Sequence, residues 1–182
     1  MGRIKKLKKA WLGLGGNVGD VVLTLQQALN SLSQIDTIKL IKVSSFYKTP
    51  PWGKTDQAYF VNLCCAIKTE LTPEALLQTC LKLEEKLGRV RHEKWGPRTI
   101  DIDLLAYESI DLYLSKSLTL PHPFLTERSF VLRPLCEIAP ELMIKGVAVK
   151  EWNQRVQDSD IVVLPTQYQQ EISFITNISS DE

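Results

Sequence analysis

Apolar positions recur along this chain with two periods, and the order of those periods predicts a small α+β fold. Ala10 to Leu14 reads as a short apolar strand running into a glycine turn. Asp20 can cap a helix whose apolar positions Val21, Leu25, Leu29 and Leu32 recur every three to four residues, which buries one stripe. Ile38 to Tyr47 is rich in β-branched and aromatic residues; it stops at Thr49-Pro50-Pro51, because prolines cannot continue a sheet ladder. Tyr59 to Thr69 predicts a third strand, with Tyr59, Val61, Leu63 and Cys65 facing the core and Phe60, Asn62 and Cys64 facing the other way. Thr72-Pro73-Glu74 gives the next helix a cap, a first-turn proline and an early acid. That helix carries Leu76, Cys80, Leu83 and Leu87 on its stripe, leaves Glu84 off it, and ends at Gly88. Thr99 to Ala106 predicts a fourth strand. The order βαββαβ is the split arrangement of ferredoxin-like folds: an antiparallel sheet with helices on one face and the other face open for an active site.

Beyond Glu141 the periodicity weakens, and from about Asp158 one extra strand and a polar tail are expected. The chain is therefore read as a single domain over 1–182, with a core of about 10–163, a basic arm at 1–9 and a tail at about 164–182. With 44% hydrophobic and 24% charged residues, 182 residues suffice for one sizeable core. The net charge of +1 gives no field that draws nucleic acid or anionic lipid, so neither is expected as a partner, and a monomer is expected.

The apolar runs fall short of the roughly 18 residues of a membrane span. Arg3, Lys5, Lys6, Lys8 and Lys9 lead into Gly13, Gly15, Gly16 and Asn17 rather than into a signal-peptide core. Gly2 lacks the Ser or Thr of a myristoylation motif, because Lys6 stands there. A cytoplasmic protein is expected, with Cys64, Cys65, Cys80 and Cys136 as reduced thiols that show neither zinc spacing nor disulfide density.

The candidate chemistry concentrates between Arg89 and Asp103. Residues two apart on a strand share a face about 6.6 Å apart, so Asp101 and Asp103 point together while Ile100, Ile102 and Leu104 enter the core. Paired carboxylates suit Mg2+, which takes one or two of them and fills its remaining positions with water and phosphate oxygens. Arg89, Arg91, Lys94 and Arg98 precede these acids, as phosphoryl transfer requires, although an isolated salt-bridge network would also use them. Phe60 and Asn62 share the parity of the open face; a ring and an amide suit a flat heterocycle, which needs stacking and edge-on hydrogen bonds.

The turn Gly13-Leu-Gly15-Gly16-Asn17-Val18-Gly19-Asp20 is neither a dinucleotide fingerprint, since Val18 breaks the pattern, nor a P-loop, since no Gly-Lys-Ser/Thr follows. His122 is stiffened by Pro121 and Pro123, and Arg128 and Phe130 follow closely as one more cation and one more ring. Arg133 reads equally well as a surface charge.

The segment Trp95-Gly-Pro-Arg-Thr-Ile-Asp-Ile-Asp-Leu104 resembles the signature of the 6-hydroxymethyl-7,8-dihydropterin pyrophosphokinases. Leu14-Gly-Gly-Asn17, Ser44 to Gly53, Phe60-Val-Asn62, Gly88-Arg-Val-Arg91 and Leu120-Pro-His-Pro123 agree in order and spacing, so the likeness spans about Trp11 to Leu142. The resemblance implies transfer of diphosphate from ATP to the hydroxymethyl group of the pterin, with release of AMP, in folate biosynthesis. It also implies two Mg2+ ions on Asp101 and Asp103. Thr49, Pro51, Trp52, Phe60, Asn62, Trp95 and Phe130 would form the pterin slot. Glu84, Arg89, Arg91, Trp95, Arg98, Thr119, His122 and Arg128 would contact ATP. Arg89 and Arg98 would stabilise charge at the β-phosphate, and Asp103 would be the one candidate proton acceptor. The loops Pro50 to Gln57 and Gly88 to Pro97 would close over the substrates.

Three departures from the family pattern touch ATP contacts: Lys94 stands where Arg is expected, and Leu81 and Ser117 replace polar or basic residues. The alternatives to this reading are a non-catalytic ferredoxin-like ligand-binding module and another Asp-x-Asp nucleotide-dependent transferase.

Overall fold

The structure, a computed structural model, describes residues 6–90 and 94–165. In chain order β1 (Lys8–Gly16) leads to α1 (Val21–Ser33), β2 (Ile38–Val43), β3 (Tyr47–Thr49), β4 (Phe60–Thr69), α2 (Pro73–Lys86) and β5 (Asp101–Tyr107). β1 lies between β4 and β5, and β2 and β3 share the far edge of β4, all antiparallel. With β2 and β3 taken as one interrupted strand, this is the expected βαββαβ sheet.

The strand expected from Ile38 to Tyr47 is broken at Ser44, which is the first correction. Ser44 donates its N–H to the Cys64 carbonyl at 2.9 Å, and its Oγ accepts the Cys64 N–H at 2.9 Å. A hydroxyl thus replaces a ladder carbonyl. Val43 pairs with Cys65 and Tyr47 with Asn62, so the edge carries one extra residue, a bulge that re-aims Thr49 toward the open face. Two boundaries also move: β4 starts at Phe60, leaving Tyr59 exposed rather than in the core, and β5 starts at Asp101 rather than Thr99.

Both helices start as their caps dictate. Asp20 Oδ1 accepts the Leu23 N–H at 3.1 Å, and Thr72 Oγ1 accepts the Ala75 N–H at 3.3 Å with Pro73 in the first turn. Gly88 takes a φ of 86°, a value that only glycine adopts freely, and ends α2. Leu25, Leu29, Leu76 and Cys80 meet Leu12, Leu14, Leu63, Cys65, Ile102 and Leu104 in one core on one sheet face.

Downstream come β6 (Tyr113–Leu114), β7 (Thr119–Leu120), a single 3-10 turn at Leu125–Glu127, α3 (Ser129–Ile138), β8 (Met143–Ile144), β9 (Val147–Ala148), α4 (Val149–Arg155) and β10 (Val162–Val163). The repeat's own helices cover one face, as expected. α3 lies outside the repeat and packs Val131, Leu132 and Leu135 on Cys64, Ala66 and Leu105, covering part of the second face. The end of that face carrying Phe60, Asn62, Asp101 and Asp103 stays open. β8, β9 and α4 are too short to show a period in sequence. β10 pairs with β3 and supplies the extra strand expected after Asp158. The basic arm to residue 5 and the tail from 166 lie outside the described residues. Among the described residues no helix is long and apolar enough to cross a membrane.

Candidate active site

Strand parity delivers the two carboxylates. Ile100, Ile102 and Leu104 are buried in the core, which turns Asp101 and Asp103 to the open face. Arg89 Nη1 lies 2.9 Å from Asp101 Oδ1, and Arg98 Nη1 lies 2.7 Å from Asp101 Oδ2. Asp103 is less well met: His122 Nε2 stands 3.8 Å and Arg128 Nη1 3.9 Å from its Oδ2. Desolvation, then the neighbouring Asp101 charge, pushes the Asp103 carboxyl up to about 7. Burial, then the Arg128 charge, pulls His122 down to about 4, so its imidazole is neutral near pH 7.

Glu84 corrects the helical reading. It lies off the apolar stripe, yet it is 2% exposed. One oxygen accepts the Ile102 N–H at 2.6 Å between the two aspartates, and the other meets Arg89. Burial is the main reason its carboxyl is raised. Glu84 therefore anchors Arg89 and β5.

Two cavities meet at the aspartates. The first is walled by Thr49, Pro50, Trp52, Phe60, Asn62, Trp95 and Phe130 and floored by Gly13, Gly15 and Cys64. Pro50 stands in this wall where Pro51 is expected from the sequence; Pro51 does not line it. Asn62 Nδ2 donates to Thr49 Oγ1 at 2.8 Å, and both side chains are buried. A β-carbon at residue 15 would fall 1.9 Å from Asn62 Oδ1, so this close approach demands glycine. The second cavity runs between α2 and the β6–β7 hairpin. Its lining includes Glu84, Arg89, Lys94, Arg98, Thr119 and His122. Trp95, Arg98, Asp101, Asp103 and Arg128 line both.

Arg128 is the pivot of the shared wall. Its guanidinium carbon lies 4.6 Å from the Trp52 ring centre, 5.1 Å from Trp95, 5.1 Å from Phe124 and 5.5 Å from Phe130. Its Nε is buried and, among the described residues, has no partner. Trp95 adopts a φ of 64°, a left-handed conformation costing about 1–3 kcal/mol in a non-glycine residue and typical of functional sites.

Sequence reasoning missed Asn17 as a brace. Its Nδ2 donates to Gln57 Oε1 at 3.1 Å and to the Ala58 carbonyl at 3.0 Å, while its Oδ1 accepts the Arg98 N–H at 3.0 Å. Gln57 Nε2 in turn donates to the Trp95 carbonyl at 2.9 Å. The loop after β3 and the segment before β5 are thereby tied together. Its place beside the paired glycines was the available signal. Phe124 was also missed. Arg91 lies outside the described residues.

Fold and site together define an α+β protein in which two cavities meet at paired aspartates. The chain belongs to the 7,8-dihydro-6-hydroxymethylpterin-pyrophosphokinase family, whose pattern matches residues 11–140. It is an enzyme that transfers the diphosphate of ATP to 6-hydroxymethyl-7,8-dihydropterin in folate biosynthesis. It is 49% identical over 155 residues to the 2-amino-4-hydroxy-6-hydroxymethyldihydropteridine pyrophosphokinase of Methylorubrum extorquens, covering 85% of this chain and 98% of that protein. To the enzyme of the same name from Bacillus subtilis it is 39% identical over 153 residues, covering 80% and 91%. The wild-type HPPK-DHPS crystal structure from Plasmodium falciparum shares the fold, with a TM-score of 0.65 at 18% identity; the match covers 84% of this chain and 42% of that one.

Proposed function

We propose that the slot walled by Trp52, Phe60 and Trp95 takes the pterin, that the groove between α2 and the β6–β7 hairpin takes ATP, and that the reacting groups meet at Asp101 and Asp103. The carrying observation is that these two carboxylates line both cavities. Thr49, Asn62, Trp52, Phe60, Trp95 and Phe130 would hold the flat ring by edge hydrogen bonds and stacking. Glu84 would act from behind through Arg89, while Arg98, Thr119, His122 and Arg128 would line the phosphate path, with the partnerless Arg128 Nε as a waiting donor.

The donor set suits Mg2+. Two carboxylates with no third His, Cys, Asp or Glu among the described residues would leave a hard cation dependent on water and phosphate oxygens, which arrive with ATP. Asp101 and Asp103 would hold two Mg2+ ions, which when bound neutralise phosphate charge. In the reaction the pterin hydroxyl oxygen bonds to the β-phosphorus. The bond from that phosphorus to the α–β bridging oxygen breaks, AMP leaves, and the hydroxyl proton passes to Asp103 or to water. Arg89 and Arg98 stabilise the charge developing on the phosphates. Positioning and electrostatics thus carry the rate.

The test is product analysis with ATP, Mg2+ and 6-hydroxymethyl-7,8-dihydropterin. Pterin-dependent AMP should form in the wild type and fall by about 100-fold or more in Asp101→Ala and Asp103→Ala. Wild-type-like AMP formation by both variants would remove the aspartates from the chemistry. We also read residues 1–182 as one domain working as a cytoplasmic monomer, which a mass measurement in solution checks.

A further inference from the structure

We propose that Glu74, outside both cavities, is a positioning residue for the nucleotide: its carboxylate clasps the β6–β7 hairpin to the start of α2 and so sets the width of the far end of the groove. This rests on the assignment of that groove to ATP. The two walls of that end come from different elements. Leu77 and Leu81 of α2 line it with Ser115, Lys116, Ser117 and Leu118 of the hairpin; Leu118 and Leu120 anchor the hairpin in the core beside Leu76 and Cys80, whereas the turn residues Ser115 to Ser117 are exposed and lie outside that core. Glu74, in the first turn of α2, spans the gap with both oxygens. Oε1 accepts the Ser115 hydroxyl and, at 3.4 Å, the Tyr113 hydroxyl; Oε2 accepts the Ser117 hydroxyl at 2.8 Å. Ser115 also ties the turn to itself: its Oγ accepts the Leu118 N–H at 3.0 Å, and its N–H donates to the Leu118 carbonyl at 2.8 Å. The clasp therefore holds a preformed turn as a unit. The Ser115 and Ser117 hydroxyls hold the Glu74 carboxyl below the usual carboxylate range, so it stays ionised wherever the enzyme works.

The groove is chemically bipartite. Arg89, Lys94, Arg98 and His122 mark the end near the aspartates, and Leu77, Leu81 and Leu118 mark the other, where a flat base is the part of ATP that fits. Releasing the clasp loosens the base end without touching the phosphate end.

Steady-state kinetics on the full chain test this with Glu74→Ala, which removes the clasp, and Glu74→Gln, whose amide can still bridge the Ser115 and Ser117 hydroxyls. The expected result is a rise of about five- to tenfold in KM for ATP for Glu74→Ala, with kcat and pterin KM within about twofold, and recovery of most of that loss in Glu74→Gln. An unchanged ATP KM in folded protein, a matching rise in both KM values, or a loss confined to kcat overturns the proposal. If instead AMP forms but the Asp101→Ala and Asp103→Ala controls are unaffected, the groove assignment itself fails.

Discussion

Glu84 accepts the backbone N–H of Ile102 at 2.6 Å, so one buried helix carboxylate is bonded to the residue between the two site aspartates. The same carboxylate meets Arg89, whose other contact is Asp101 at 2.9 Å. Removing it orphans a buried N–H and loosens a half-buried cation. Glu84→Ala should lower unfolding free energy by about 1–3 kcal/mol in urea titration, and Glu84→Gln by less, since its amide oxygen still accepts from Ile102. Equal losses in the two variants would place the effect in the lost charge opposite Arg89 rather than in the bond to Ile102.

At Gly15, β1 passes directly beside the Asn62 side chain in the wall of the first cavity. Gly15→Ala drives a methyl group into Asn62 Oδ1 and breaks the bond from Asn62 to Thr49. Pterin KM should rise at least about tenfold while ATP affinity changes little, with a stability cost of about 1–3 kcal/mol from overpacking. Titration of each substrate separately by tryptophan fluorescence distinguishes the two effects; equal weakening of both substrates would contradict it.

Asp103 gives a pH signature in metal-free buffer. Its folded value of about 7 lies above its ordinary value of 3.8, so the native state holds this proton more tightly than the unfolded chain. That stabilising contribution is complete below about pH 4 and is lost as pH rises toward and through about 7. Asp103→Asn should therefore match the wild type in Tm at acid pH and exceed it at pH 8, measured with a chelator present. A variant no more stable than wild type at pH 8 would show that Asp103 carries no such strain.

The aromatic wall around Arg128 predicts a graded loss. The Trp95 and Trp52 rings lie 4.8 Å apart, tilted by 54°, and flank the guanidinium. Trp95→Ala removes a slot face and one cation–π partner, worth about 0.5–2 kcal/mol in the free protein, and should weaken pterin binding more than that. Trp95→Phe should recover most of the binding, which calorimetry with the pterin reads directly. Failure of the Phe variant to recover would assign the role to the indole N–H.

Asn17 predicts coupling between distant segments. Asn17→Ala cuts the bonds to Gln57, Ala58 and Arg98 at once, and proteolysis at the 50–58 loop should accelerate with it. Unchanged cleavage would mean that the loop is held elsewhere.

The period of the apolar positions alone determined the βαββαβ order, the caps at Asp20 and Thr72 and the face carrying Asp101 and Asp103, because strand parity and helix stripes are local properties of sequence. Adjacent motif residues such as Trp95 to Leu104 were legible for the same reason. Only the tertiary structure decided the break at Ser44, which depends on a side chain competing for Cys64 across the sheet. It alone buried Glu84 against Ile102, chose Pro50 over Pro51 for the slot, brought Asn17 to Arg98 and folded four rings around Arg128. Each of these joins residues far apart in the chain, and a sequence carries no distance between segments until the core that unites them has packed.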